Sequence, residues 1–136
     1  MKKPVNILLV DDDDLFTFLF GEYMKECDFP VSVKQLNHGL LALNYLDELQ
    51  QNEQQQPDIV FLDLSMPVMD GWEFIDEFSQ WIKKTGKTIP LFIVSSSISP
   101  YDIERARSLK TVKDFIIKPA SPEKIISLIK NSVNNF

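Results

Sequence analysis

Cysteine is nearly absent from this sequence: Cys27 is the only one in 136 residues. A lone thiol closes no internal disulfide and supplies no CxxC metal pair, so a reducing compartment fits best. Cations are also in short supply. Lys and Arg total 14 against 20 Asp and Glu, for a net charge of −6. That sign opposes counterion-release binding to a phosphate backbone and argues against a direct nucleic-acid partner. No apolar run approaches the roughly 18 residues that span a bilayer. After Lys2 and Lys3, the stretch Ile7-Leu8-Leu9-Val10 runs into four aspartates and is too short for a signal-peptide core. A cytoplasmic protein without membrane contact is expected.

What is present is an ordinary globular balance, 44% apolar and 25% charged. The length suits a single domain over residues 1–136, able to bury roughly two-thirds of the surface of its unfolded chain. Charge is unevenly spread. Residues 1–100 carry 7 basic and 16 acidic side chains, whereas residues 101–136 carry 7 and 4. The last part therefore offers a mildly basic surface, which is as readily a solvated face as a binding one.

Short apolar runs alternate with longer amphipathic stretches. Val5–Val10 reads as a strand. Leu15 to about Glu26 has helical spacing at Leu15, Phe16, Leu19, Phe20, Tyr23 and Met24, and Pro30 ends it. Val31–Leu36 alternates like a strand, and Gly39–Leu49 repeats leucine at 40, 43, 46 and 49 like a helix. The glutamine-rich residues 50–56 read as a solvated connection. Ile59–Leu62 is continuously apolar, as in a strand buried on both faces. Asp70 and Glu73 have capping-box spacing for a helix whose inward residues are Trp72, Ile75, Phe78 (with Phe74) and Ile82. Pro90–Val94 is the next buried strand. Ser99-Pro100 and Ser121-Pro122 each mark a helix start, with Phe115–Ile117 as a last strand between them. Five strands alternating with five helices predict an α/β fold: a five-stranded parallel sheet covered on both faces, doubly wound and flavodoxin-like.

In such sheets sites gather at the carboxyl ends of the strands. Those ends are Asp11-Asp12, Asp63, Ser95 and Lys118. If the first, third and fourth strands are neighbours, three carboxylates converge beside a hydroxyl and an ammonium. Carboxylates a few ångströms apart repel unless a hard cation with oxygen ligands sits among them, and Mg²⁺ is the natural one. Such a centre suits phosphoryl transfer, with a carboxylate as nucleophile.

The pieces Leu8-Leu9-Val10-Asp11-Asp12, Phe61-Leu62-Asp63-Leu64-Ser65-Met66-Pro67-Val68-Met69-Asp70-Gly71, Val94-Ser95-Ser96 and Lys118-Pro119 resemble, in order and spacing, the receiver domain of bacterial two-component response regulators. The kind resembled is the stand-alone, CheY-like one with no output domain. The resemblance implies Asp63 as phosphoacceptor and metal ligand. It also implies Asp12 binding Mg²⁺ directly, Asp11 acting mainly through a water, and the Ser65 backbone carbonyl as a further ligand. Ser95 and Lys118 would hold the phosphoryl group, Ser95 and Phe115 would form the switch, and Lys118-Pro119 is open to a cis bond. The phosphoryl donor would be a histidine kinase or a histidine phosphotransfer protein, the output a contact with another protein, and the catalysis limited to its own phosphorylation and dephosphorylation.

Duller roles suit several neighbours. Asp13 and Asp14 read as helix caps, Met66 and Met69 as packing, Cys27 as packing near a helix end, and His38 as a solvated loop histidine. Several positions depart from the commonest receiver pattern: Phe115 lacks a hydroxyl, Ala120 replaces a larger residue, and the 108–114 segment has no Gly-Ala pair. Two other classes compete. An aspartate-nucleophile phosphohydrolase needs a second Asp two residues after the nucleophile, where this chain has Ser65. A flavin protein of like topology needs a Ser/Thr/Gly phosphate cradle after the first strand, where this chain has aspartates.

Overall fold

The computed structural model describes residues 3–52 and 54–133; Lys2 and Glu53 of the segments read above lie outside them. The elements alternate as expected: β1 Val5–Val10, α1 Asp14–Met24, β2 Val31–Leu36, α2 Gly39–Glu48 and β3 Ile59–Leu62. They continue with α3 Gly71–Thr85, β4 Leu91–Ser95, α4 Pro100–Arg107, β5 Val112–Ile117 and α5 Pro122–Ser132. The strands form one parallel sheet in the order β2-β1-β3-β4-β5. Among the described residues no helix is long and apolar enough to cross a membrane.

The period of two along a strand divides the core into two layers. Val5, Ile7 and Leu9 of β1 turn toward α1 and α5, where they meet Phe16, Phe20, Ile125 and Ile129. Leu8 and Val10 turn the other way and meet Ala42 and Leu46 of α2 and Phe74 and Phe78 of α3. β3 and β4 lie inside the sheet and are buried at every position, which is why their sequences are unbroken apolar runs. Phe74, Phe78 and Trp81 stack along α3 at 5.5 and 6.0 Å between ring centroids.

Helix ends follow the sequence signals with two exceptions. Asp70 and Glu73 form a complete capping box, at 2.9 and 3.2 Å, and Gly86 closes α3 in the left-handed conformation at φ 70°. Ser121 Oγ accepts from the Lys124 N–H at 3.1 Å to cap α5. Ser99 stands at the N-cap of α4, yet its hydroxyl makes no capping bond. Its N–H instead donates to Ser97 Oγ at 3.2 Å, and that hydroxyl donates to Asp102 Oδ2 at 2.7 Å. His38, expected to be a solvated loop residue, is half-buried and caps α2, its Nδ1 accepting from the Leu41 N–H at 3.4 Å.

Three further expectations are corrected. β5 begins at Val112, three residues before Phe115. As an edge strand it leaves Lys113 and Asp114 in water, so its first half has no apolar signature. Leu15 and Leu40, counted into helical stripes, are exposed. The buried faces are Phe16 with Phe20 on α1, and Ala42 with Leu46 on α2. On α3, Trp81 is buried, whereas Trp72 and Ile82 are only partly so.

Candidate functional site

The strand register delivers the acidic residues to one place. Asp11 follows β1, and Asp63 follows β3 beside it, where the Asp63 N–H donates to Val10 O at 2.9 Å. One carboxylate oxygen from each of Asp11, Asp12 and Asp63 lies within 4.8 Å of the others. Asp11 and Asp63 are buried and Asp12 is exposed, so the cluster opens to solvent on the Asp12 side. Lys118 follows β5, its N–H donating to Ser95 O at 2.8 Å, which joins the ammonium-bearing residue to the hydroxyl-bearing one. The Lys118-Pro119 peptide is cis.

Close backbone approaches hold the pocket. Gly71 donates its N–H to Leu64 O at 2.9 Å, and a Cβ on Gly71 would stand 2.6 Å from Asp63 O and 2.7 Å from Leu64 Cα. Only glycine lets α3 begin this close to the end of β3. Between them, the Met69 N–H donates to Pro67 O at 2.7 Å across Val68, whose φ is 69°. This is a γ-turn with a β-branched residue at a positive φ. Gln35 Nε2 donates to Asp11 O at 2.8 Å, and the Asp13 N–H donates to Asp11 Oδ1 at 2.9 Å.

The charges are incompletely balanced. Burial, and then the negative charge of Asp11, push the Asp63 carboxyl up to about 6, against the opposing pull of Lys118 and the N–H groups of Ser65 and Leu64. Burial also raises Asp11, although the Asp13 N–H and Lys118 work against it. Burial pulls Lys118 down, but Asp11, Asp63 and Asp13 together outweigh it and hold the ammonium charged. Lys118 Nζ lies 3.0 Å from Asp11 Oδ2, 3.4 Å from Asp13 Oδ2 and 4.6 Å from the centre of the Phe16 ring.

Asp13 and Phe16 are the residues that sequence reasoning missed here. Asp13 does cap α1, through Oδ1 to the Leu15 and Phe16 N–H groups, and it also holds the lysine with its other oxygen. Nothing local marks that second role, because the partner lies 105 residues away. Asp14 is the first residue of α1. Ser95 is buried, and its Oγ accepts from the Ser97 N–H at 3.1 Å, leaving its own proton available to donate. Phe115 is half-buried on the rim of a cavity of about 200 Å³ lined also by Ile103, Ala106 and Val112.

The donor set fits a hard divalent cation. The triad and Asp13 bring four carboxylates to one ammonium, and the buried Asp11 Oδ2, although 3.0 Å from Lys118 Nζ, has no aligned hydrogen bond. All-oxygen donors of this charge suit Mg²⁺, Ca²⁺ or Mn²⁺ over softer metals.

Residues 7–130 match the response regulator receiver domain. The chain belongs to that family. It is a CheY-like signalling protein of two-component phosphorelays, and its acidic triad is able to bind a divalent metal. A crystal structure of a two-component response regulator from Cytophaga hutchinsonii superposes with a TM-score of 0.85 at 28% identity, over 98% of this chain and 99% of that one. The chemotaxis protein CheY of Listeria monocytogenes is 28% identical over 94% of this chain and 98% of its own length. The Mn²⁺-bound form of response regulator Rcp1 superposes with a TM-score of 0.74 at 25% identity, over 94% of this chain and 91% of that one. Several other curated relatives are longer, and in them the match spans from 15% to 77% of the protein.

Proposed function

We propose that Asp63 is the phosphoacceptor of this receiver and that Mg²⁺ is its working metal. The carrying observation is the convergence of Asp11, Asp12 and Asp63 beside Lys118 at the carboxyl edge of the sheet. Asp12 would bind the metal directly, Asp11 mainly through a water, and Asp63 and the Ser65 carbonyl would supply the remaining protein ligands. When bound, the ion neutralises charge developing on the phosphoryl oxygens. An Asp63 oxygen attacks the phosphorus of a phosphohistidine; the P–O bond forms as the P–N bond breaks, and the imidazole nitrogen leaves with the electron pair and takes up a proton. The Ser95 hydroxyl donates to the transferred group and the Lys118 ammonium pairs with it.

A histidine kinase or a histidine phosphotransfer protein supplies the phosphoryl group, and the output is a contact with another protein in the cytoplasm. Switching runs from Ser95 to Phe115, which borders a cavity of about 200 Å³. Phosphohydrolase chemistry lacks its acid/base, because Ser65 stands two residues after Asp63.

The test is intact mass after incubation with phosphoramidate or acetyl phosphate and Mg²⁺. One phosphoryl adduct on the wild type, absent from Asp63→Asn and abolished by chelator, is expected. An adduct that persists in Asp63→Asn would overturn the assignment.

A further inference from the structure

We propose that the pole of the molecule opposite the acidic pocket docks a short acidic segment of a partner protein, anchored there by one apolar side chain. The last turn of α3 and the amino ends of β4 and β5 border a cavity of about 160 Å³. Ile82 and Ile89 give it apolar walls, and Lys110 and Lys113 stand on its border. Lys83 and Lys84 share the last turn of α3 with Ile82. The groove is open to solvent, with Thr88 and Thr111 beside the two isoleucines, and its size suits a single leucine or phenylalanine side chain.

The charge around this cavity runs against that of the whole chain, which is −6. Lys83, Lys84, Lys110 and Lys113 are exposed, and none has an ion-pair partner among the described residues. Helix-end carbonyls favour cations in a last turn, which accounts for Lys83 and Lys84. That effect does not reach Lys110, on the loop before β5, or Lys113, on the edge strand itself. Neighbouring acids are engaged elsewhere. Asp114 accepts from its neighbour's N–H at 2.8 Å and faces Lys124 at 3.9 Å, and Glu104 pairs with Arg107 at 3.5 Å. Asp76 and Glu77 lie nearly two turns back along α3, roughly 9–11 Å by helical rise.

The cavity is tied in place. Ser79 Oγ and Thr111 Oγ1 share a hydrogen bond of 2.6 Å, which fixes the Lys110–Lys113 segment to α3. Apolar walls inside a basic border match an acidic peptide with an apolar anchor, and match a phosphate backbone poorly. β4 separates this pole from the acidic pocket by about 17 Å of extended chain. Docking is therefore independent of Asp63 and of the phosphorylation reading, and it leaves the receiver held at one end while the other is modified.

The test is fluorescence anisotropy of a labelled peptide with three glutamates on each side of a central Leu-Phe, titrated with the full chain. Saturable binding is expected, weakened about ten-fold or more by Lys110→Glu with Lys113→Glu and about five-fold or more when Leu-Phe becomes Gly-Ser. Asp63→Asn should leave it unchanged. Both lysines are exposed, and an unchanged Tm confirms that the double variant folds. Absence of saturation, equal affinity for the Gly-Ser peptide, tighter binding of a DNA duplex, or loss of binding in Asp63→Asn would each overturn the proposal.

Discussion

Replacing Asp63 by asparagine should stabilise the metal-free protein. The substitution keeps the size and planarity of the side chain and removes one of the two buried carboxylates in the pocket. With the folded carboxyl at about 6 and the ordinary value at 3.8, keeping the charge at neutral pH costs the fold about 3 kcal/mol. Lys118 loses an attractive neighbour in the variant, so the net gain is about 1–3 kcal/mol, or roughly 4–12 °C in Tm for a domain of this size. The sign follows from proton linkage. Below pH 3.8 both states are protonated and the variant has no advantage from this group. Between 3.8 and about 6 the unfolded chain gives up its proton first, so the wild type loses stability as pH rises, and the full penalty holds above that window. Mg²⁺ at a hundred times its Kd would return about 2.7 kcal/mol to the wild type. Urea or thermal unfolding at pH 7 and at pH 4, in chelator and in Mg²⁺, reads all of these. If Asp63→Asn proves no more stable than wild type at pH 7 in chelator, the account of an overcharged pocket is wrong.

Other substitutions separate scaffold from chemistry. Gly71→Ala would force its Cβ to 2.6 Å from Asp63 O, so urea unfolding should record a loss of about 1–3 kcal/mol together with slower labelling by acetyl phosphate. Asp70→Ala removes a capping box and should cost about 1 kcal/mol by the same assay while labelling persists. Phe78→Ala empties the middle of the α3 aromatic stack and should cost about 3–5 kcal/mol. The acyl phosphate should outlast that of fast chemotaxis-type regulators. Ser65 is neither carboxylate nor amide, and the Ser97 hydroxyl is already committed to Asp102 and Ser99. A lifetime of seconds by intact mass would contradict this.

The central elements were legible because each position of β3 and β4 answers to two apolar layers at once. The edges were fainter. β5 has one open side, so Val112-Lys113-Asp114 looked like a loop. Leucine spacing placed most of the inward faces of α1 and α2 but wrongly included Leu15, Leu40 and Leu41, which are exposed. Gly39 sits where a Cβ would lie 3.0 Å from Met69 Sδ, so α2 starts close against Met69, and Ala42 and Leu46 face inward while Leu40 faces water. The Asp11, Asp12, Asp63 and Lys118 positions could be read because strand ends converge in any parallel sheet of this order. The Asp13–Lys118 contact depends on a side-chain direction across 105 residues, for which local pattern has no signal.

Val68 shows how tightly the acceptor's frame is wound. A valine at φ 69° carries backbone strain of about 1–3 kcal/mol, and the residue is 73% exposed, so little packing offsets it. The single hydrogen bond across the turn and the fixed start of α3 must hold that segment bent. A glycine there would slacken it, giving a more stable protein whose acceptor aspartate is less firmly aimed.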